Sequence, residues 1–301
     1  MTFSLQNSAL NRLRAIALLL AALLGAATVT ACSTTDGAPA PDAAAGKDDA
    51  PRIVALDWRY EEILEAIGVQ PVGIVEIGKS SAPATLKGKL DGITSVGQAK
   101  QPNLEVIQSL EPDLILASPT RHEAIMGQLG EIARTESYSD ATYTDVLDAM
   151  DSIAEIVGGD APAKAKDVRS RIEDKIDTAK QAVAPGTRAA LVGWSDDLLY
   201  TWIEQSFAGS LLTAAGYDYG YTGDKSAIES KTDVAELTGD KLPEMNLDVM
   251  YLYNDIEGFK ASPYAGVVDN IVEVEQDTWS RSRGPLAAEA MLDQIIETAK
   301  H

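Results

Sequence analysis

A few of this chain's long cations and large aromatic rings are the groups through which it could do chemistry. Trp58, Lys100 and Arg121 lie in its first half, and Trp202, Tyr253, Trp279, Arg281 and Arg283 in its second. Guanidinium and ammonium groups donate charge-assisted hydrogen bonds to carbonyl, carboxylate or catecholate oxygens, while indole and phenol rings offer flat apolar faces. That combination suits holding an oxygen-rich ligand rather than reacting with it. Lys100 and Arg121, like Arg59, also have a plainer reading as solvated loop charges, and Trp202 and Trp279 as core residues.

Groups for catalysis are scarce. His122 is the single internal imidazole, the other histidine being the terminal His301. The sequence contains no Gly-x-Ser-x-Gly elbow, zinc-type histidine pair or complete phosphate loop, and Gly223-Asp-Lys-Ser226 only brushes the last of these. A surface hydrolase would lack its usual base. The acidic pairs Glu61-Glu62 and Asp196-Asp197 read as solvated faces.

The elements that must position the cations and rings alternate between strand and helix. Apolar runs at 53–56, 72–75 and 114–116 read as strands, and 60–67, 103–110 and 123–132 as helices, with 79–92 a loop. The second half repeats the scheme: a strand after Arg188, a hairpin-like insertion over 195–205, a helix over 207–216, strands at 249–253 and 271–274, a short helix at 265–270 and a closing helix from 286. Such alternation argues for parallel sheets covered on both faces, with ligands beyond the carboxyl ends of the strands. Asp57-Trp58-Arg59, the segment 97–101, Ser118 to His122 and Thr278 to Arg283 all fall at such ends.

Two stretches are told twice. Arg52-Ile-Val-Ala-Leu-Asp-Trp58 is echoed by Arg188-Ala-Ala-Leu-Val-Gly-Trp194, and 103–116 by 238–251, at nearly the same offset. Between them Val168, Ile172, Ile176, Ala179 and Val183 recur at helical spacing over 160–183, with Asp160 as the expected cap and Pro185-Gly186 as the stop. At about 1.5 Å per residue that rod is roughly 35 Å long. Two α/β lobes joined by one rigid helix follow: a first lobe over 51–142, a helical linker over 143–186 and a second lobe over 187–301.

A chain of 301 residues at 45% hydrophobic composition can bury two cores, and with three Phe they must be mainly aliphatic. The formal charge of −21 argues against nucleic acid and anionic headgroups as partners, although a cleft can still be locally basic. Arg12 and Arg14 precede an apolar run over 15–25 of signal-peptide length. It closes on Val29-Thr-Ala-Cys32, which resembles the lipobox of bacterial lipoproteins and would make 1–32 a lipoprotein signal peptide; the alternative is a plain secretory leader. Lipidation at Cys32 would account for a lone cysteine in an exported chain. Residues 33–50 have no Leu, Ile, Val or aromatic residue and read as a solvated tether.

These residues together resemble the iron-siderophore substrate-binding lipoproteins of bacterial ABC importers, the ferric-hydroxamate and ferric-citrate binding type. The likeness is carried by Ile53-Val-Ala-Leu-Asp-Trp58, Val96-Gly97 with Pro102-Asn-Leu-Glu105, Leu110-Glu-Pro-Asp-Leu-Ile115, Ser206-Phe-Ala-Gly-Ser-Leu-Leu212 and Arg283-Gly-Pro-Leu-Ala-Ala-Glu-Ala-Met-Leu-Asp293. The resemblance implies two Rossmann-like lobes bridged by one long helix, the class III periplasmic-binding-protein arrangement, with a shallow interlobe cleft and modest closure. It implies a monomer on the extracytoplasmic face of the cell membrane, anchored through Cys32, with a ferric siderophore as transported ligand and no permanently bound cofactor. An exposed carboxylate on each lobe would dock to arginines of a permease dimer: Glu105 matches the first, and Asp240 stands for the more usual Glu of the second. Ferric-hydroxamate binders commonly carry Arg two positions after the Val-Gly glycine, where this chain has Ala99, followed by Lys100. Haem is the runner-up ligand, with His122 as its axial candidate, and direct ferric binding by Tyr217, Tyr219 and Tyr221 is a further option.

Overall fold

The computed structural model describes residues 51–80, 82–221, 223 and 233–300. The leader, Cys32, the tether, Lys225, Ser226 and His301 lie outside the described residues. Among those described, no helix is long and apolar enough to cross a membrane.

The first lobe begins with β1 (Ile53–Ala55), buried at every position, and α1 (Trp58–Ala66), whose start is capped by Asp57 accepting from the Arg59 N–H. There follow β2 (Gly73–Glu76), β3 (Thr94–Gln98), β4 (Gln101–Pro102), α2 (Leu104–Ser109), β5 (Leu114–Leu116), α3 (Met126–Ile132) and β6 (Arg134–Glu136). Asn103 caps α2 by accepting from the N–H groups of Glu105 and Val106. The sheet order is β4-β3-β2-β1-β5-β6, parallel except where β4 turns back on β3. The loop over 79–92 contains one 3₁₀ turn, Ala84–Leu86, which drives Leu86 into a small apolar cluster with Ile74 and Leu90.

Two helices lead out of this lobe, α4 (Tyr143–Val157), opened by a Thr142/Asp145 capping box, and α5 (Ala161–Ala182). Helix α5 is the rod, and Val168, Ile172, Ile176 and Ala179 are its buried stripe. Asp160 stands at the cap position but makes no capping bond. Its backbone is already helical, and its carboxylate pairs with Lys164 one turn on, at 2.9 Å.

The second lobe comprises β7 (Arg188–Ser195), β8 (Leu198–Trp202), α6 (Phe207–Ala214), β9 (Asp218–Tyr219), β10 (Val234–Thr238), β11 (Val249–Asn254), α7 (Ile256–Ala261), β12 (Asn270–Glu273) and α8 (Pro285–Thr298). Its order is β10-β8-β7-β11-β12, with β9 paired to β7. The insertion after Trp194 is a hairpin turned by Asp196 and Asp197 at φ 51° and 62°, the two left-handed residues that a tight hairpin loop requires. It makes this sheet mixed, β8 running antiparallel to both β7 and β10. The short helix expected at 265–270 is instead α7, because Asp255 caps the earlier segment by accepting from the Gly258 N–H.

The internal echo is a repeated clamp. The Arg52 N–H donates to Asp113 Oδ2 at 2.8 Å and its guanidinium to the Leu110 carbonyl at 2.6 Å. In the second lobe the Arg188 N–H donates to Asp248 Oδ2 at 2.8 Å and its guanidinium to the Met245 carbonyl at 3.2 Å. Each clamp fixes its register, Ile53 opposite Leu114 and Ala189 opposite Val249.

Glu61 and Glu62 are fully buried rather than solvated. Glu61 faces β2, where the register shifts between Ile74 and Glu76, and accepts the Val75 N–H at 3.0 Å. Glu62 reaches across to the second lobe, accepting from the Ser282 hydroxyl at 2.7 Å and the Ala287 N–H at 2.8 Å.

Candidate functional site

Strand ends of both lobes face a cleft. Asp57 follows β1, Ser118 to Arg121 follow β5, Asp140 follows β6, Trp202 ends β8, and Arg281 and Arg283 sit in and just after a π-helical turn, Asp277–Ser282, beyond β12. A cavity of about 880 Å³ opens among Lys100, Ser118, Arg121, Asp140, Asp233 and Arg283. A smaller pocket of about 140 Å³ shares Arg121, Asp140 and Arg283 and adds Asp57, Trp202 and Arg281. The two adjoin at these shared residues, which come from both lobes, and together they make one interlobe cleft.

Five of the sequence candidates line it: Lys100, Arg121, Trp202, Arg281 and Arg283. Arg283 lies 4.7 Å over the Trp202 ring, a cation–π contact that ties its guanidinium to the indole face. Its backbone is left-handed at φ 54°, uncommon for a side-chain-bearing residue, and a Cβ on the following Gly284 would collide with the Glu62 carboxylate. The arginine is therefore aimed by a tightly packed corner.

Three candidates stand behind the cleft. Trp58 is fully buried, with no partner for its indole N–H among the described residues. Trp279 stacks on Tyr251 at 4.5 Å and donates to Gln294 Oε1 at 2.9 Å, so it packs in the second lobe's core. Tyr253 is buried beneath Trp202, whose Nε1 donates to its hydroxyl at 3.3 Å. A ring near a strand end satisfies the same sequence rule whether it points out or in.

The cleft is not a basic patch. Four cations and four carboxylates line it, the carboxylates being Asp57, Glu123, Asp140 and Asp233. Arg121 pairs with Asp57, Arg281 with Asp277 at 2.7 Å, and Arg283 with Asp233 at 2.8 Å. Arg59, fully buried beneath, pairs with Asp140 and lies 4.5 Å over the Tyr60 ring. Burial alone would raise the pKa of Asp57, but the guanidiniums of Arg59 and Arg121, with the Arg59 N–H and the charge of Arg283, hold the carboxyl below its ordinary range. Lys100 is exposed and has no ion pair among the described residues. Sequence reasoning missed Asp140 and Asp233. Asp140 follows a strand of three residues, Arg-Thr-Glu, too short and polar to carry a period, and Asp233 sits in a polar approach to β10.

His122 is buried with both ring nitrogens engaged. Nδ1 accepts the Ser118 N–H at 2.9 Å, which leaves the proton on Nε2 to donate to the Ala99 carbonyl at 2.6 Å. Burial lowers its pKa, so the ring is a neutral strut for the Ser118 loop and offers no free nitrogen to a haem iron. The phenols also belong to the core: Tyr217 bonds the Tyr251 hydroxyl at 3.0 Å, Tyr219 is buried against Leu191, and Tyr221 packs on the same cluster. Burial raises the pKa of Tyr217 and Tyr219, which opposes the phenolate form that ferric ion prefers.

Glu105 and Asp240 are both exposed in the first turns of short helices that precede β5 and β11, equivalent places in the repeat.

Two α/β lobes joined by a helical rod, meeting at a cleft built from strand ends, define a bilobed solute-binding protein of the helix-bridged class III type. The periplasmic binding protein family model matches residues 53–282, and the chain belongs to that family. It is 30% identical over 280 residues to YhfQ of Bacillus subtilis, named as an ABC transporter substrate-binding lipoprotein, covering 83% of this chain and 85% of the relative. It is 26% identical over 261 residues to the Fe(3+)-citrate-binding protein YfmC of the same organism, covering 82% and 80%. Among solved structures, Staphylococcus aureus SirA complexed with staphyloferrin B shares the fold at TM-score 0.70 and 23% identity, covering 83% of this chain and 94% of that one.

Proposed function

We propose that this protein captures a ferric siderophore in the interlobe cleft and delivers it to an ABC permease on the extracytoplasmic side of the membrane. The carrying observation is that Arg121, Arg281 and Arg283 converge from both lobes on one cavity beside the Trp202 face. A siderophore already fills the coordination sphere of its iron, so the protein has to supply donors for the chelate's oxygens and flat surface for its scaffold. Arg121, Arg281, Arg283 and Lys100 are the donors in this reading and Trp202 the platform. Trp58, Tyr253 and Trp279 support the wall from behind.

The protein acts as a monomer anchored by lipid at Cys32, and Glu105 and Asp240 dock it to the permease dimer. It binds and releases without chemistry, since its one described imidazole is committed to two hydrogen bonds. Those bonds also count against haem ligation.

Tryptophan-fluorescence quenching of the soluble form from Ser33, titrated with ferric hydroxamates, ferric citrate, ferric catecholates and haem, tests the reading. Saturable binding of at least one ferric chelate is expected, weakened about tenfold or more in the Arg281→Ala/Arg283→Ala double variant. Unchanged affinity in that variant would remove the assignment.

A further inference from the structure

The cleft already contains anions of its own, and one of them bridges the lobes. Asp140 leaves the first lobe between β6 and α4, and its carboxylate meets the guanidinium of Arg59, which is 1% exposed. The same oxygen lies 3.9 Å from Arg283 Nη1 of the second lobe. Arg283 is held on its other side by Asp233. The remaining donors of Arg59 have little to turn to: one terminal nitrogen reaches the Tyr60 hydroxyl at 3.1 Å, and Nε has no partner among the described residues. Among the described residues Asp140 is therefore the carboxylate in direct contact with this buried arginine, while Asp57 acts on it without an ion-pair contact. Its side chain is still 20% exposed and lines both parts of the cleft.

An anionic chelate reaching for Arg59 or Arg283 would meet that carboxylate first. An incoming polyanion must displace it from Arg59 and Arg283 or lie beside it, and within a partly desolvated cleft like charges repel far more strongly than in water. A neutral or cationic chelate has no such repulsion and can use the Trp202 face and the outer donors. Specificity is a difference of affinities, and a fixed like charge is the usual way of rejecting the wrong partner.

We propose that Asp140, seconded by Asp233, is a specificity-determining residue: an internal anion on Arg59 and Arg283 that makes the cleft discriminate against polyanionic ferric chelates. This rests on the ferric-siderophore reading above and adds the charge class of the ligand to it.

The test is calorimetric titration of the intact chain with polyanionic ferric dicitrate and with cationic ferrioxamine, at low and high salt, for the parent, Asp140→Asn, Asp140→Glu and Asp233→Asn. Asp140→Asn should tighten ferric dicitrate by about tenfold or more at low salt, with the gain shrinking as salt rises, and should leave ferrioxamine within about twofold of the parent or weaken it. Asp140→Glu, which keeps the charge, should stay with the parent. Asp233→Asn should move the two chelates apart in the same direction, and it carries the proposal if Asp140→Asn does not fold. A role confined to structure would shift both chelates alike. Equal shifts, or a weaker or unchanged ferric dicitrate affinity, overturn the proposal while leaving the siderophore reading standing. A parent that binds neither chelate, with Asp140→Asn also failing to bind ferric dicitrate, overturns the proposal, and the siderophore reading falls with it only if ferric catecholates fail to bind as well.

Discussion

The two oxygens of Glu61 are in different circumstances, and the pH response of the fold should reveal it. One accepts the Val75 N–H at 3.0 Å, and the other is buried with no partner among the described residues. Burial is the main reason its pKa stands well above 4.5, with the neighbouring carboxylates of Asp57 and Glu62 adding to it. A carboxyl whose folded pKa exceeds its unfolded one favours the fold fully below the unfolded value, and that contribution is lost as pH rises through the folded value. Glu61→Gln keeps the acceptor for Val75 and never ionises. Its melting temperature should match the parent's near pH 4 and exceed it by a few degrees near pH 8, on the order of 1 kcal/mol. An equal offset at both pH values would show that Glu61 carries no buried charge to relieve. This glutamate also marks the limit of reading single residues from sequence. Glu61-Glu62 looks like a solvated acidic face because the partners that make burial tolerable come from other elements, the Val75 N–H from the next strand and the Ser282 and Ala287 donors from the far lobe.

At the scale of elements, Glu62 joins three pieces. From α1 it accepts the Thr85 hydroxyl in the 3₁₀ turn, the Ser282 hydroxyl and the Ala287 N–H at the opening of α8. A carboxylate at a helix N-terminus meets its unsatisfied N–H groups and the positive end of its dipole, and here it is supplied from the opposite lobe. Ser282 lies between Arg281 and Arg283, so the same contact holds both cleft arginines in place. Glu62→Ala should cost about 3 kcal/mol or more, because it leaves several buried donors unpaired, and it should weaken ferric-chelate binding although Glu62 does not line the cleft. Thermal unfolding and titration read the two effects separately; a destabilised variant with unaltered affinity would show that Ser282 needs no such tie. Elements were legible where period and punctuation agreed. The stripe of α5, the strand expected at 249–253, the helix expected over 103–110 and the hairpin expected within 195–205 all stand close to where the pattern put them. Strand β6 and helix α7 did not announce themselves, since three polar residues have no period and a cap such as Asp255 competes with the helix pattern downstream.

For the whole molecule, the duplicated clamp of Arg52 with Asp113 and of Arg188 with Asp248 shows why the internal echo was readable: the repeated residues are the ones that fix strand register. The echo says nothing, however, about how far the lobes can move. That is set by the connections that reach between them. Arg169 ties the rod to Asp148 and Asp151 of α4 beside it in the linker, while Arg171 and Lys175 tie it to Glu289 and Asp293 of α8 in the second lobe. Helix α8 itself packs against both α5 and α1, returning from the second lobe to the first. One apolar cluster runs without a break from Ile53 and Tyr60 through Ile172 to Leu191 and Ile295. Hinge closure works when a few loop residues absorb the motion between separately packed bodies, and rotation here would have to shear that shared core and part the ion pairs on the rod. Residues 48–301 should therefore unfold as one cooperative unit, giving a single calorimetric transition whose calorimetric and van't Hoff enthalpies agree. Saturation with a ferric chelate should change the radius of gyration seen by small-angle scattering by less than about 1 Å. Two resolved transitions, or a contraction of several ångströms, would mean that the lobes are independent bodies on a hinge and that α8 is a strap rather than part of the core.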